Sequence, residues 1–140
     1  MTINNMNFQP SATEIERRYQ NTRAAMEMAE LDAVIISGSE YTGFEGAVRY
    51  MCGFHILHRY AYVVVPMSGE PTCVFPKEAT WVGDHTQTFI KQREFPAHCG
   101  KWMADYCKGQ GWKRIGVYGL NYIISVRDYQ ALADTGLEFI

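Results

Sequence analysis

No run of apolar residues in this sequence approaches the ~20 needed for a helix to cross a bilayer. The longest, Ala61 to Met67, is seven residues and contains a proline. The first ten residues, MTINNMNFQP, lack both a basic start and an apolar segment. No signal peptide is expected, and a cytoplasmic address follows by default. An excess of one charge is also missing. Thirteen basic residues against fifteen acidic give a formal net charge of -2, which supplies no drive toward DNA, RNA or an anionic membrane surface. Neither a nucleic-acid nor a membrane partner is expected. Internal repeats, low-complexity tracts and long charge runs are absent too, which gives no sign of a solenoid.

Motifs that prepare chemistry are equally scarce. The four cysteines, Cys52, Cys73, Cys99 and Cys107, are spaced 21, 26 and 8 residues apart and contain no C-x-x-C, so they read as buried or semi-buried thiols. Of His55, His58, His85 and His98, only the first two are close, and an i, i+3 pair in a stretch that reads as strand or loop does not converge on one metal. The stretch Ile36-Ser37-Gly38-Ser39-Glu40 is not a G-x-S-x-G elbow, and neither a P-loop nor a G-x-G-x-x-G follows any strand. Glu40 and Glu45 are the only carboxylates close together in a candidate site loop, and they serve equally well as solvated loop charges. The residues nominate no catalytic group and no metal ligand.

What is present is a globular balance: 47% apolar, 20% charged and 14% aromatic residues in 140, enough for one domain with one core. Ser11 precedes Glu14, and Thr13 precedes Glu16, by three residues, so either can open a capping box. Ile15, Tyr19, Thr22, Met26 and Ala29 then form one helical stripe running to about Glu30, with Arg17, Arg18 and Arg23 off it. Ala33 to Ser37 is a continuous apolar strand, covered on both faces. Gly38 to Gly46 reads as a glycine-rich loop, and Arg49 to Phe54 as a short strand broken by Gly53. Tyr60–Val65 and Thr72–Phe75 form a hairpin across Pro66 to Pro71.

Residues 77 to 88 carry a weak helical pattern, and Phe89-Ile90 with Glu94-Phe95 suggest a further short strand. A helix over Ala97 to Lys108, a strand over Arg114 to Tyr118, a helix over Ser125 to Ala133 and a strand opening at Leu137 complete an α/β order with a mixed sheet flanked by helices. Residues 1–10 are expected as a flexible tail and 11–140 as the domain. The strand cut at Ile140 leads the reading to expect that something follows in the natural protein.

One arrangement of residues carries a resemblance. Glu14 to Arg18 (E-x-x-R-R), Arg23, Met26, Leu31-Asp32-Ala33-Val34-Ile35, Tyr50-Met51-Cys52-Gly53-Phe54, Val63-Val64-Val65-Pro66 and Gly69-Glu70-Pro71 stand in this order along nearly the whole chain. Together they resemble the N-terminal domain of the creatinase/prolidase family of metal-dependent hydrolases, which includes Xaa-Pro dipeptidase and aminopeptidase P. The resemblance implies an RNase H-like α/β fold and a partner, the protein's own larger C-terminal catalytic domain, in a homodimer. It also implies that two divalent metal ions, where the relative is a peptidase, belong to that absent domain, and that creatinase-type relatives use none. This chain alone is then expected to be inactive.

In creatinase-like members, the segment after the Y-x-x-G-[FW] motif reaches the neighbouring subunit's site and supplies an aromatic and an arginine to substrate. Here that segment is Phe54-His55-Ile56-Leu57-His58-Arg59-Tyr60. The resemblance makes Arg59, with His55, His58 and Phe54, the candidate substrate-binding residues. Leu57 stands where such members carry an aromatic, and the segment is shorter. The residues by themselves leave Arg59 open to a surface ion pair as well. Tyr41, Phe44 and Glu45 can line the same entrance. Trp81, Trp102 and Trp112 read as core and interface aromatics. The implied substrate is a small molecule: an Xaa-Pro dipeptide, creatine or another small amide. The alternative function is a stand-alone dimerisation or small-ligand module. A nuclease rests on fold analogy alone.

Overall fold

The computed structural model describes residues 9–55, 59–80 and 88–140. Helix α1, Ala12–Met28, starts where Ser11 Oγ accepts the amide of Glu14 at 3.2 Å, so the first of the two possible caps is the one used. The Glu14 side chain turns to Arg17 and Arg18 instead of closing the box, and those hydrogen bonds pull its carboxyl down to about 2. Arg18 and Arg23, off the apolar stripe, reach backbone carbonyls: Arg18 that of Tyr50, Arg23 those of Pro66 and Gly69. These contacts clamp α1 across the body of the domain.

Six described strands form one sheet in the order β4-β3-β2-β1-β5-β6. They are β1 (Ala33–Ser39), β2 (Tyr60–Pro66), β3 (Thr72–Val74), β4 (Gln92–Glu94), β5 (Arg114–Tyr118) and β6 (Glu138–Phe139). β2 runs antiparallel to both β1 and β3, whereas β1/β5, β3/β4 and β5/β6 are parallel, so β2 alone points against the rest. The register Ala33↔Pro66 through Ser39↔Tyr60 places the end of β1 beside the start of β2.

Alternation along β2 divides the core in two. Ala61, Val63 and Val65 pack with Ile36, Cys73 and Phe75 beneath Val48, Met51 and Cys52. Tyr62 and Val64 pack on the other face with Ile35, Val74 and Ile115 against Cys99, Met103, Cys107 and Leu132. The two faces explain why β1 and β2 read as unbroken apolar runs.

Two expectations need correction. Arg49 to Phe54 is not a broken strand: Gly46–Cys52 is helix α2, with Val48, Met51 and Cys52 buried at helical spacing, and Gly53 ends it in the left-handed region at φ 80°. The expected glycine loop is also shorter at its start, because β1 continues through Gly38 to Ser39. Of the weak helical pattern at 77 to 88, a single 3-10 turn, Lys77–Ala79, is described, and 81–87, with Trp81 and His85, lie outside the described residues. The further short strand is Gln92–Glu94, which overlaps the expected stretch at Glu94.

Helices α3 (Cys99–Gly109) and α4 (Val126–Ala133) pack on each other and on the second face. They touch at Gly100, where a Cβ would stand 2.4 Å from the Asp128 Cα, closer than any side chain allows. Asp128 is fully buried at this crossing. Its carboxylate accepts the Gly100 amide at 2.9 Å and the Tyr62 hydroxyl at 2.6 Å, tying α4 to the start of α3 and to the middle of the sheet. Trp102 stacks on Tyr106, which meets Trp112 edge-on. All four cysteines are buried free thiols.

Candidate functional site at one end of the sheet

Because β1 and β5 are parallel neighbours, the loops that leave them, 40–45 and 119–125, emerge at the same end of the sheet. β2 runs the other way, so the segment that enters it, ending at Arg59, arrives at that end too. This is the edge where open α/β sheets hold ligands, outside the carboxyl ends of their strands.

The loop after β1 is fixed by its own backbone. Ser39 and Phe44 form an isolated bridge, with the Ser39 amide donating to the Phe44 carbonyl at 3.0 Å, and Gly43 turns the chain at φ 72°. The loop after β5 turns at Gly119, φ 88°, under the Ile123 side chain, which would stand 2.7 Å from a Cβ there. Phe44 and Tyr122 meet across the two loops with ring centroids 5.3 Å apart. Tyr41 is 70% exposed and Tyr122 65%, and Tyr118 at the end of β5 is half exposed. An aromatic ledge therefore lies open beside the β1/β5 pair.

Arg59 adjoins it. Its backbone is left-handed, φ 67°, a conformation that costs a non-glycine residue about 1 kcal/mol or more and persists only where the surroundings impose it. Glu40 imposes it from both sides: the Glu40 amide donates to the Arg59 carbonyl and the Arg59 amide donates to Glu40 Oε1, each at 2.9 Å. The Arg59 guanidinium is 3.3 Å from Glu78 Oε1, with both side chains partly exposed. His55 Nδ1 is 3.1 Å from Glu45 Oε1. Phe54 faces inward, 8% exposed, with its ring edge-on to Phe75 at 4.9 Å. His58 lies outside the described residues.

Of the four residues expected to bind substrate, Arg59 and His55 thus stand at this end, each beside a carboxylate, while Phe54 anchors the chain below them. The arrangement can hold a carboxylate or a planar group. Among the described residues, no group of three His, Cys, Asp or Glu side chains stands close enough to hold a metal ion. Among the same residues, no helix is long and apolar enough to cross a membrane.

Sequence reading missed the Glu40–Arg59 lock, Glu78 and the buried Asp128. Nineteen residues separate Glu40 from Arg59, and nothing local to either announces the pairing. Asp128 had a signal. Ser125-Val126-Arg127-Asp128 is a capping pattern, and Ser125 Oγ does accept the Asp128 amide at 3.2 Å.

A two-sided mixed sheet with helices on both faces, and loops gathered at one end, defines a small α/β domain. Residues 18–139 match the Creatinase/Prolidase N-terminal domain, and the chain belongs to that family. Solved structures share the fold. The Xaa-Pro dipeptidase from Bacillus anthracis superposes with a TM-score of 0.66 at 16% identity, over 90% of this chain and 33% of that one. The N-terminal domain of cytoplasmic peptidase PepQ from Mycobacterium tuberculosis H37Rv gives 0.67 at 19% identity, over 89% of this chain and 91% of that domain. The Xaa-Pro aminopeptidase from Streptococcus thermophilus gives 0.65 at 16%, over 89% of each chain. This chain therefore spans about a third of the Bacillus anthracis dipeptidase. No curated protein matches the sequence.

Proposed function

We propose that this chain is the non-catalytic N-terminal domain of a metal-dependent C–N bond hydrolase resembling Xaa-Pro dipeptidase or creatinase, and that it helps form a homodimer and the substrate entrance of the neighbouring subunit. The domain comprises residues 11–140, with 1–10 as a tail, and its partner is its own C-terminal catalytic domain, working in the cytoplasm. The metal ions, two divalent ions in a peptidase-type protein, belong to that domain. The observation that carries this reading is Arg59 held in a left-handed backbone by Glu40 beside an exposed aromatic ledge. A strained residue that its surroundings fix in place suits a group whose direction matters.

The chemistry follows from the groups present. A planar guanidinium accepts a substrate carboxylate through two parallel hydrogen bonds. Glu78, its present counter-ion, is 57% exposed, and an exposed pair is worth roughly 0.2–1 kcal/mol, little enough for an incoming carboxylate to displace. His55 and His58 precede this arginine in sequence, and Phe54 seats the segment.

The test is kinetic. In a protein joining this domain to a catalytic domain, Arg59→Ala should raise KM for an Xaa-Pro dipeptide about tenfold, equivalent to ~1.4 kcal/mol, with the dimer intact by sedimentation. Unchanged kinetics would remove the role of Arg59. Hydrolysis of the dipeptide by the purified 140-residue chain, with contaminating peptidase excluded, would overturn the non-catalytic reading.

A further inference from the structure

Asp128 is the only carboxylate buried among the described residues. Both of its hydrogen bonds come from uncharged donors, the Gly100 amide on Oδ1 and the Tyr62 hydroxyl on Oδ2. Among the same residues, one basic side chain is paired with it: His98, whose Nδ1 stands 3.5 Å from Oδ1. That nitrogen is also the N-cap acceptor of α3, taking the Lys101 amide at 3.2 Å. Nδ1 thus faces a donor and an acceptor at once. With a lone pair it suits the amide, with a proton it suits the carboxylate, and it cannot serve both.

We propose that His98 is a proton-operated switch at the crossing of α3 and α4. The neutral ring, carrying its hydrogen on Nε2, caps α3 through Nδ1. The imidazolium releases the Lys101 amide to water and donates its Nδ1 hydrogen to Asp128 Oδ1, joining the start of α3 to α4 by an ion pair. One proton enters from solvent and none leaves Asp128. The ring is 29% exposed, so water reaches it, whereas Asp128 is fully buried and its pairing escapes solvent screening. A carboxylate oxygen accepts two hydrogen bonds, so Oδ1 takes the ring without losing Gly100. Histidine is the side chain that ordinarily changes charge between about pH 5 and 8.

Other ionisable groups surround the ring. Lys101, Asp105 and Lys108 of α3 and Asp134 of α4 line the open groove beside it. Arg127 donates to the Ala97 carbonyl at 3.4 Å. The Pro96 carbonyl accepts the Lys77 amide at 3.1 Å, which sets the 3-10 turn against this segment, with Glu78 there paired to Arg59. Tyr62 of β2 reaches the ring through Asp128. Burial pushes the Cys99 thiol up to about 12 and the Tyr60 phenol above its usual range, so both stay neutral where histidine titrates. Among the described residues, Asp128 alone stands within ion-pair distance of the imidazole.

The experiment is an NMR titration of the isotope-labelled chain from about pH 8 to 5. At the upper end the His98 ring should read as unprotonated at Nδ1 and protonated at Nε2. On acidification three signals should move with one midpoint: the ring nitrogens, the Lys101 amide proton, shifting upfield as its hydrogen bond is lost, and the Asp128 carboxyl carbon. His98→Asn keeps a neutral N-cap that does not titrate, so in that variant the Lys101 and Asp128 signals should lose this inflection. A neutral ring already protonated at Nδ1, a ring that titrates while Lys101 or Asp128 stays still, a ring still neutral at the acid end, or the same inflection surviving in His98→Asn would each overturn the proposal.

Discussion

Replacing Asp128 with alanine should be among the costliest single changes in this domain, although Asp128 lies in neither an apolar stripe nor the candidate site. Its carboxylate accepts two buried donors, the Gly100 amide at 2.9 Å and the Tyr62 hydroxyl at 2.6 Å. Alanine leaves both without a partner. Hydrogen bonds to a charged group are worth roughly 1.5–3 kcal/mol, and an orphaned buried donor costs its full desolvation, so about 3–4 kcal/mol should be lost. A domain of this size holds ~5–15 kcal/mol in all. At about 3–4 °C per kcal/mol for a chain of this length, Tm should fall by roughly 9–16 °C.

The assay is thermal and urea unfolding followed by circular dichroism, with Tyr62→Phe and the double variant completing a cycle. Tyr62→Phe alone should cost about 1–2 kcal/mol. Added to Asp128→Ala it should cost less than it does alone, because the phenol that alanine orphaned has gone. Tyr62 remains a donor at ordinary pH, since burial and the Asp128 charge push its phenol well above the usual range. A Tm for Asp128→Ala within about 3 °C of the parent, or additive losses in the double variant, would refute the reasoning.

Gly100→Ala should destabilise by about 2 kcal/mol or more, because its new methyl meets the Asp128 backbone and α3 must move off α4; urea midpoints decide it. Arg59→Gly should leave the isolated chain at least as stable as the parent, up to about 1 kcal/mol more so, because glycine accepts φ 67° without penalty; a loss in the urea midpoint would count against the strain. Asp32 accepts the amides of Lys113 and Arg114 at 2.7 and 3.0 Å, which lower its pKa in the fold. Its contribution is therefore present above the unfolded value of about 3.9 and lost as pH falls through the folded one, so Asp32→Asn should flatten the loss of stability below about pH 4, measured by urea unfolding across pH.

The central strands, the long helices and the β2–β3 hairpin were legible because each writes its burial into a local period. The unbroken apolar runs at 33–36 and 61–65 report two covered faces, and the stripe through Tyr19 and Met26 reports α1. Helix α2 was misread because it is only seven residues long and follows a glycine-rich stretch; Tyr50 to Phe54 carries aromatic and apolar residues that suit either element. β4 was legible only at its last residue, Glu94, since all three of its residues are exposed and its pairing with β3 defines it. The site was legible in part. Arg59 and His55 could be nominated from a motif, but the groups that fix them, Glu40, Glu78 and Glu45, arrive through chain reversal and leave no periodic trace.

The lone reversed strand has a consequence for which parts of the chain can change length. Arg59 is set by where β2 begins, and β2 is gripped by ladders on both sides. Residues added at Met67 to Pro71 would enlarge a turn at the far end and leave the arginine where it is. One residue inserted within 60–66 would instead exchange the two faces of the strand, sending Tyr62 toward α2 and Val63 toward Asp128. Among descendants of this sequence, gaps should therefore gather in the turn after Pro66 and be missing from the seven residues before it.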